Sequence, residues 1–210
     1  MNIKSEFVDG LRKTTAEVLE AVEMVLCGKV NKQLVTRLQA VKGQAVGLSG
    51  CDGQLLAVKA IDQARLGFVG EVQAVNVRLL KDLLLNSYIP VIAPLGLNEE
   101  GAHYNINADS AAAAIANGLG AKELVFVTDV DGIMKDNKIL KSVSVKEIKS
   151  FIKDGTIYGG MIPKVNAALK SLSGSLKSVL IMNGKGTSQV SGSELKGTKI
   201  MKVPVTSNTL

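Results

Sequence analysis

The 210-residue chain is 46% hydrophobic and 21% charged, a balance typical of a packed globular protein, and its core must be aliphatic because only 3% of its residues are aromatic. The formal net charge is +6, but acidic residues are interleaved with the lysines and no nucleic-acid-binding motif occurs, so we expect no nucleic-acid partner. The longest uncharged apolar run, residues 88–97, is too short to cross a membrane, and no secretory pattern opens the chain, which favours a cytoplasmic protein.

The first part of the chain alternates helical and strand patterns. Residues 14–17 have a capping-box sequence with Thr14 at its start, which predicts the beginning of a helix. That helix ends at Gly28 or passes directly into a second helix, which Gly43 closes. Asn76 is expected to cap a further helix that runs to Leu85. Strand patterns occur at residues 45–48, 54–60, 68–75 and 89–93.

An amide and a carboxylate mark the next segment, which follows a turn at residues 98–101. Asn105 and Asp109 lie four residues apart at the start of an alanine-rich helix, and this spacing predicts that they share one helical face. The free N–H groups and partial positive charge of a helix start suit an anionic ligand. The sequence therefore predicts an anion-binding site there.

A second candidate site follows the apolar strand predicted at residues 123–128. This strand ends abruptly in Thr-Asp-Val-Asp-Gly, and open parallel sheets bind their ligands at such strand exits. A capping box at residues 144–147 predicts a helix that ends near Gly155, and residues 159–164 begin another. Residues 177–182 are predicted to form a strand, residues 197–203 an edge strand, and the tail from Pro204 is expected to fray.

Alternation of strands and helices, with Val, Ile and Leu runs, favours an α/β fold with a buried parallel sheet.

The composition excludes several catalytic arrangements. His103 is the single histidine, expected on an exposed hairpin, so a Ser-His-Asp or Cys-His arrangement is nearly excluded. Cys27 and Cys51 have no metal-binding spacing and are expected to be reduced packing or surface residues. No Walker sequence occurs, and residues 184–187 favour an ordinary loop. Lysines, arginines, carboxylates and backbone amides remain, which are the groups used in phosphoryl transfer.

Eight short motifs, in order and spread over nearly the whole chain, carry a resemblance. They lie at residues 9–12, 28–32, 45–50, 67–71, 88–92, 104–109, 128–132 and 159–164. Together they resemble the N-acetylglutamate kinases of the amino acid kinase family. The resemblance implies a three-layer αβα sandwich with a mainly parallel central sheet, and transfer of the ATP γ-phosphoryl group to the side-chain carboxylate of N-acetyl-L-glutamate in arginine biosynthesis. It also implies Mg²⁺ carried by the nucleotide, with no metal site of the protein's own, and a homodimer or higher homo-oligomer.

The same resemblance implies roles for particular residues. Lys164 would neutralise the transferring phosphoryl group, and Asp109 would organise the active-site lysine, although a helix-surface lysine and a plain helix-start carboxylate are the alternatives. Arg12 and Asn105 would hold N-acetyl-L-glutamate, with a surface ion pair as the alternative for Arg12. The residues expected around ATP, which ordinary turns would also explain, are Asp129, Val130, Asp131, Gly132, Ile133, Met134, Thr156, Ile157 and Tyr158.

In one continuous domain of this kind, residues 1–94 would form the remainder of the acceptor lobe and residues 95–210 the nucleotide lobe. The family's Lys-x-Gly-Gly and His-Gly-Gly-Gly loops do not occur, so the sequence predicts that the N-terminal strands are missing, through truncation or a misplaced start. Nucleotide binding with weak or no turnover is the corresponding expectation. Two alternatives remain open: a non-catalytic interaction subunit, and a sibling kinase with another acceptor.

Overall fold

The computed structural model describes residues 3, 6–8, 10–172, 174–185, 190–191 and 194–202 and divides the chain into two compact units, Met1–Leu119 (unit 1) and Gly120–Leu210 (unit 2). Mixed strands and helices confirm the predicted α/β class. The predicted lobe boundary after residue 94 falls inside unit 1, and the assignment of the lobes to acceptor and nucleotide stays a prediction. Within the described residues, no helix combines the length and apolar character needed to cross a membrane.

Unit 1 pairs its strands in three groups. Its strands are β1 (Phe7–Val8), β2 (Leu11–Arg12), β3 (Ala45–Ser49), β4 (Leu56–Ala60), β5 (Val69–Val75), β6 (Ile89–Ala93), β7 (Leu95–Leu97) and β8 (His103–Ile106). Its α-helices are α1 (Ala16–Val22), α2 (Asn31–Ala40), α3 (Gln63–Leu66), α4 (Val77–Leu85) and α5 (Ala108–Leu119). Strands β1 and β2 form a hairpin, β3 and β6 pair in parallel, and β4, β5, β8 and β7 close into a small barrel.

The core of unit 1 lies around this barrel. Leu55, Leu56, Leu80, Tyr104 and Ile106 are buried together in one cluster. These side chains come from β4, β8, α4 and the residue before β4, so the barrel and its covering helix share one apolar interior. The aliphatic core expected from the composition is therefore present, with Tyr104 as its buried aromatic member.

The first helix does not begin where the sequence predicted. Thr15, and not Thr14, is the N-cap of α1, because its hydroxyl oxygen accepts a hydrogen bond from the Val18 N–H at 3.3 Å. Thr14 is instead held in extended backbone: its N–H donates to the Leu66 carbonyl at 2.8 Å, and its carbonyl accepts from the Phe68 N–H at 2.7 Å. Pairing with a distant segment thus moved the N-cap by one residue, and with Val18 at the third helical position the cap of α1 is not a capping box.

A π-helical segment, Glu23–Val30, joins α1 to α2 without a break. Gly28 therefore lies inside continuous helix, which confirms the second of the two alternatives for this residue. Helix α2 ends at Ala40, and Lys42 takes the left-handed backbone conformation (φ 64°) that often follows a helix. Gly43 follows this left-handed residue, and its N–H donates a hydrogen bond to the Leu38 carbonyl of the last helical turn at 2.9 Å.

Unit 2 is built on a four-stranded sheet in the order β12–β16–β13–β9. Its strands are β9 (Glu123–Thr128), β10 (Met134–Lys135), β11 (Lys138–Ile139), β12 (Ser142–Ser144), β13 (Ser178–Asn183), β14 (Val190–Ser191), β15 (Glu194–Leu195) and β16 (Thr198–Met201), and its helices are α6 (Val145–Lys153) and α7 (Met161–Ser171). Strand β13 runs parallel to β9 and antiparallel to β16, and β16 runs parallel to β12. The capping box of Ser144 and Glu147 at the start of α6 is confirmed.

The prediction of an edge strand at residues 197–203 is wrong for its described part. Strand β16 lies between β12 and β13, because the short segment Ser142–Ser144 pairs along its outer side. Three residues before a helix cap carry too little pattern to predict a strand from sequence. Val203, the tail from Pro204, and residues 186–187 of the predicted loop at 184–187 lie outside the described residues.

Helix α2 is fastened to the parallel pair β3–β6 by one buried amide. Asn31 is 3% exposed, and its Nδ2 donates to the carbonyl oxygens of Leu48 at 3.0 Å and Val91 at 2.8 Å. The close approach requires glycine at position 47, since a Cβ there would lie 2.0 Å from Asn31 Oδ1. A single side chain therefore ties together three elements that are far apart in sequence.

Replacing Asn31 by leucine should lower the free energy of unfolding by about 2–4 kcal/mol, because the two strand carbonyls lose their donor while the volume changes little. Urea denaturation followed by circular dichroism measures this. The matched control is Asn86→Leu on the exposed end of α4, where Nδ2 donates to a single exposed carbonyl, that of Asp82, and a change within about 0.5 kcal/mol is expected. Equal losses in both variants would contradict the assigned role of Asn31.

Candidate active site

A cleft of about 410 Å³ opens in unit 2 at the end of strand β9. Its lining consists of Asp129, Val130, Asp131, Gly132, Ile133, Met134, Thr156, Ile157, Tyr158 and Met161. The structure therefore brings together all nine residues expected around a nucleotide, although two segments more than twenty positions apart supply them. Their role stays a prediction, and Met161, which belongs to the 159–164 motif but was not assigned to the nucleotide, also lines the cleft.

The cleft exists because β9 and β13 run in parallel and end at the same edge. Thr128 and Asn183 are register partners, and the Gly184 N–H donates to the Thr128 carbonyl at 2.8 Å just beyond them. The Thr128 hydroxyl accepts from the Val130 N–H at 3.2 Å, which starts the turn into the cleft. Asn183 Nδ2 then donates to Asp131 Oδ1 at 2.7 Å. Asn183 thus positions an acidic lining residue, a role that only the register reveals.

The base of the cleft is anchored to strand β16. The Ile133 N–H donates to Thr198 Oγ1 at 2.8 Å, and Gly132 has φ 141°, with a Cβ position only 2.6 Å from that same oxygen. The side chains of Ile133 and Ile157 are buried, whereas Tyr158 is 76% exposed. The cleft therefore combines an apolar base with a polar, acidic edge, which suits a flat heterocycle that carries polar substituents.

One ion pair joins the lining of the cleft to helix α7. Lys164 Nζ lies 2.5 Å from Asp129 Oδ1, with the lysine side chain 27% exposed and the aspartate side chain 69% exposed. The hydrogen bond from Lys164 is the main cause that holds the pKa of Asp129 below its ordinary value. A cation so placed can turn to an anionic ligand at little cost, since its present partner is solvated.

In unit 1 the predicted acceptor-binding residues meet through Thr14. Asn105 Nδ2 donates to Thr14 Oγ1 at 3.1 Å, and that hydroxyl donates to the Arg12 carbonyl at 2.9 Å. The Arg12 guanidinium lies over the Phe7 ring, 4.5 Å from its centroid. Arg12 and Asn105 lie far apart in the sequence of unit 1, and the Thr14 side chain connects them. The sequence predicted only a helix-capping role for Thr14.

Asn105 and Asp109 do not share a helical face, contrary to the prediction. Asn105 lies on strand β8, while Asp109 lies on the first turn of α5. The intervening Asn107 acts as the helix cap, because its Oδ1 accepts from the Ser110 N–H at 3.0 Å. The helix therefore begins only after Asn105. Because Asp109 belongs to unit 1 and Lys164 to unit 2, the functional pairing of these two predicted catalytic residues stays a prediction.

The remaining reactive side chains of unit 1 belong to other contacts. His103 is exposed on the β7–β8 hairpin as expected, and its Nδ1 pairs with the Glu23 carboxylate of the π-helical segment, a partner that was not foreseen. Cys27 and Cys51 are free thiols, and burial raises the pKa of Cys51 to about 11 and also raises that of Cys27. Thiols of this kind stay protonated at neutral pH, which argues against a nucleophilic role.

Comparison with known proteins supplies the context for this geometry. A model of the amino acid kinase family matches residues 1–183. Acetylglutamate kinase from Halalkalibacterium halodurans is 50% identical over 202 residues, covering 96% of this chain and 78% of the relative. Acetylglutamate kinase from Shouchella clausii is 56% identical over 185 residues, covering 88% and 72% respectively. The resemblance drawn from the eight motifs is confirmed.

Solved structures agree at the level of fold. The crystal structure of a Streptococcus mutans protein matches with a TM-score of 0.79 at 30% identity, covering 95% of this chain and 78% of that one. N-acetylglutamate synthase from Neisseria gonorrhoeae, complexed with coenzyme A and N-acetyl-glutamate, has a TM-score of 0.81 at 23% identity, covering 96% and 47%. The second likeness concerns the fold alone.

The ion pair at the cleft makes a prediction about titration. In Lys164→Met the pKa of Asp129 should rise toward the ordinary carboxyl value, because its hydrogen-bonding cation is lost. A carboxyl group whose pKa is lower in the folded than in the unfolded protein stabilises the fold at pH values above the unfolded pKa. This stabilisation disappears as the pH falls through the folded pKa. In the variant, the contribution of Asp129 to the pH dependence of the free energy of unfolding should therefore be lost.

Carbon-13 NMR titration of the aspartate carboxyl groups measures this shift. Asp154 is the internal control, because a hydrogen bond from Thr156 lowers its pKa independently of Lys164. The interpretation fails if Asp129 titrates identically in both proteins, or if Asp154 shifts as much as Asp129.

Proposed function

Because the chain belongs to the amino acid kinase family, we propose that it is an acetylglutamate kinase, transferring the γ-phosphoryl group of ATP to the side-chain carboxylate of N-acetyl-L-glutamate. Relatives that bear this name are 50% and 56% identical over most of the chain. The single structural observation that carries the proposal is the cleft at the end of β9, where all nine nucleotide-binding candidates meet with Lys164 joined to its lining. The product is an acyl phosphate, an intermediate of arginine biosynthesis.

This reaction suits a site without a general base. A glutamate-type side-chain carboxyl has a pKa of about 4.3, so the acceptor is already an anion at neutral pH and no proton has to be removed. The obstacle is repulsion between two anions, which positioned cations and N–H donors reduce as the charges approach. We assign Lys164 to the nucleotide side, and its ion pair with Asp129, a lining residue of the cleft, supports this assignment.

We assign Asp129 the role of resting partner for Lys164. The pair is largely solvated on its carboxylate side, so an incoming phosphate can take over the ammonium group without leaving a buried charge behind. Asp109, on the first turn of α5, is assigned to orient an active-site lysine.

Arg12 and Asn105 are assigned to the acceptor. An arginine offers a planar, bidentate grip on a carboxylate, and a carboxamide offers one acceptor oxygen and two donor hydrogens. N-acetyl-L-glutamate carries two carboxylates and an amide, so it can use both residues at once. Their connection through Thr14 supports a common ligand.

Magnesium fits this site as a companion of the nucleotide. Asp129 and Asp131 border the cleft, but the described residues contain no group of three or more carboxylate, histidine or cysteine side chains that would hold a metal ion by themselves. Such an edge can complete the shell of an ion that the phosphates already hold, mainly through water. When bound, the ion would supply neutralisation of phosphate charge.

A homo-oligomer and a cytoplasmic location complete the proposal, the latter because the reaction draws on the cytoplasmic ATP pool. Several apolar side chains along the continuous helix of unit 1 are exposed in the single chain: Met24, Val25, Val30, Leu34 and Val41. Exposed apolar surface of this kind favours contact with another chain. We assign it to a second copy of the protein.

The proposed reaction is tested by ADP release coupled to hydroxylamine trapping of the acyl phosphate. A hydroxamate should form with N-acetyl-L-glutamate, at the weak rate expected of a chain without the Lys-x-Gly-Gly loop, and not with L-glutamate, L-aspartate or carbamate, and UMP should not stimulate ADP release. Faster ADP release with one of these other acceptors than with N-acetyl-L-glutamate would assign the chain to a sibling kinase. Calorimetric binding of both N-acetyl-L-glutamate and a non-hydrolysable ATP analogue without ADP release would favour the non-catalytic alternative.

Lys164→Met should lower kcat by about 10²–10³, because one cation of the charge-neutralising array is lost. The dissociation constant of a non-hydrolysable ATP analogue should change by less than about tenfold, since the residues that line the cleft remain. Lys170→Met, at the far end of the same helix, serves as the matched control with near-normal kcat. Unchanged velocity in Lys164→Met would refute charge neutralisation by this residue.

The oligomer is tested with Leu34→Glu, which should reduce the mass measured by light scattering, because a charge on this face cannot be desolvated cheaply. Gln33→Glu, the exposed neighbour on α2, is the control and should retain the wild-type mass. A wild-type mass for Leu34→Glu would place the contact elsewhere.

A further inference from the structure

Thr14 is fully buried although its side chain is polar, with 0% of its surface exposed. Its hydroxyl makes two hydrogen bonds, donating to the Arg12 carbonyl at 2.9 Å and accepting from Asn105 Nδ2 at 3.1 Å. Both partners are residues assigned to the acceptor. A buried hydroxyl that hydrogen-bonds two such residues can determine how the groups bonded to it are oriented.

Counting hydrogens determines how Asn105 is oriented. A threonine hydroxyl has one hydrogen, and here the Arg12 carbonyl takes it, because a carbonyl can only accept. Only lone pairs remain for Asn105, so its carboxamide must turn the Nδ2 side toward Thr14. The orientation of this amide therefore follows from the network and does not depend on an assignment of its two end atoms.

The backbone holds Thr14 in the position that this network requires. Thr14 forms a parallel bridge with Gly67, whose φ is 70° and whose Cβ position would lie 2.2 Å from the Thr14 carbonyl oxygen. The next residue along, Phe68, accepts the Asn105 N–H at its carbonyl at 2.9 Å. Thr14 and Asn105 are thus placed by the same short segment, so their side chains meet in a fixed relation.

We propose that Thr14 is the positioning residue of the acceptor site. It fixes the Asn105 carboxamide so that Oδ1 and the second Nδ2 hydrogen are presented together, and it holds the backbone that carries Arg12. One acceptor oxygen beside one donor hydrogen matches the amide N–H and a carboxylate oxygen of an N-acylated amino acid. The inference rests on the proposed function, which supplies the acceptor.

Three variants test it by calorimetry with N-acetyl-L-glutamate. Thr14→Val keeps the shape and removes the hydroxyl, and it should weaken binding about tenfold, while the affinity for a non-hydrolysable ATP analogue stays within about twofold. Thr14→Ser restores the hydroxyl and should bind within about twofold of wild type. Thr15→Val is the matched control, since it removes the cap of α1 one residue away and should lower the melting temperature without changing acceptor affinity.

A second readout needs no ligand: the Asn105 side-chain amide hydrogens, followed by NMR, should exchange slowly in wild type and in Thr14→Ser. Wild-type affinity in Thr14→Val, or equal losses in the valine and serine variants, would overturn the inference. Free exchange of the Asn105 amide in the wild-type protein would overturn it even if the valine variant did not fold. Slow exchange together with no binding of N-acetyl-L-glutamate would instead refute the proposed function.

Discussion

Parallel pairing of β9 with β13 is the constraint on which the cleft of unit 2 depends. Parallel strands end at the same edge, so Thr128 and Asn183 finish side by side and the chain must turn outward from both. From that edge the Thr128 hydroxyl starts one turn, and the Asn183 carboxamide holds Asp131 within it. Apolar strands buried in the sheet thus determine where the polar edge of the cleft can form.

Hydrogen bonds and one ion pair organise both candidate sites. In unit 2 a solvated pair, Lys164 and Asp129, keeps a cation at the cleft while leaving it available to a stronger anion. In unit 1 the buried hydroxyl of Thr14 hydrogen-bonds the backbone carbonyl of Arg12 and the carboxamide of Asn105. Each of these two arrangements offers cations or hydrogen-bond donors to an anion, and the proposed phosphorylation of a carboxylate requires such charge neutralisation.

Sequence patterns predicted six of the seven described α-helices and every described strand of five or more residues, and failed at short strands and where a distant partner overrode a local signal. The capping boxes at Ser144 and at Thr14 have the same pattern, yet only the first behaves as predicted, because Thr14 is drawn into a bridge with Gly67. Asn105 was placed on a helix because its spacing fits one, but the next asparagine, Asn107, is the cap. Strand β12 was missed because three residues carry too little periodicity.

By itself the sequence determined the fold class, the family and nine residues that line one cleft, since these follow from local composition and from motifs that keep their order along the chain. Only the tertiary structure decided that Asn183 supports Asp131, that Asp129 holds Lys164, and that Thr14 joins Arg12 to Asn105. Hydrogen bonds between residues distant in sequence depend on strand register and burial, and these properties are set by the whole packed chain and not by any short stretch of it.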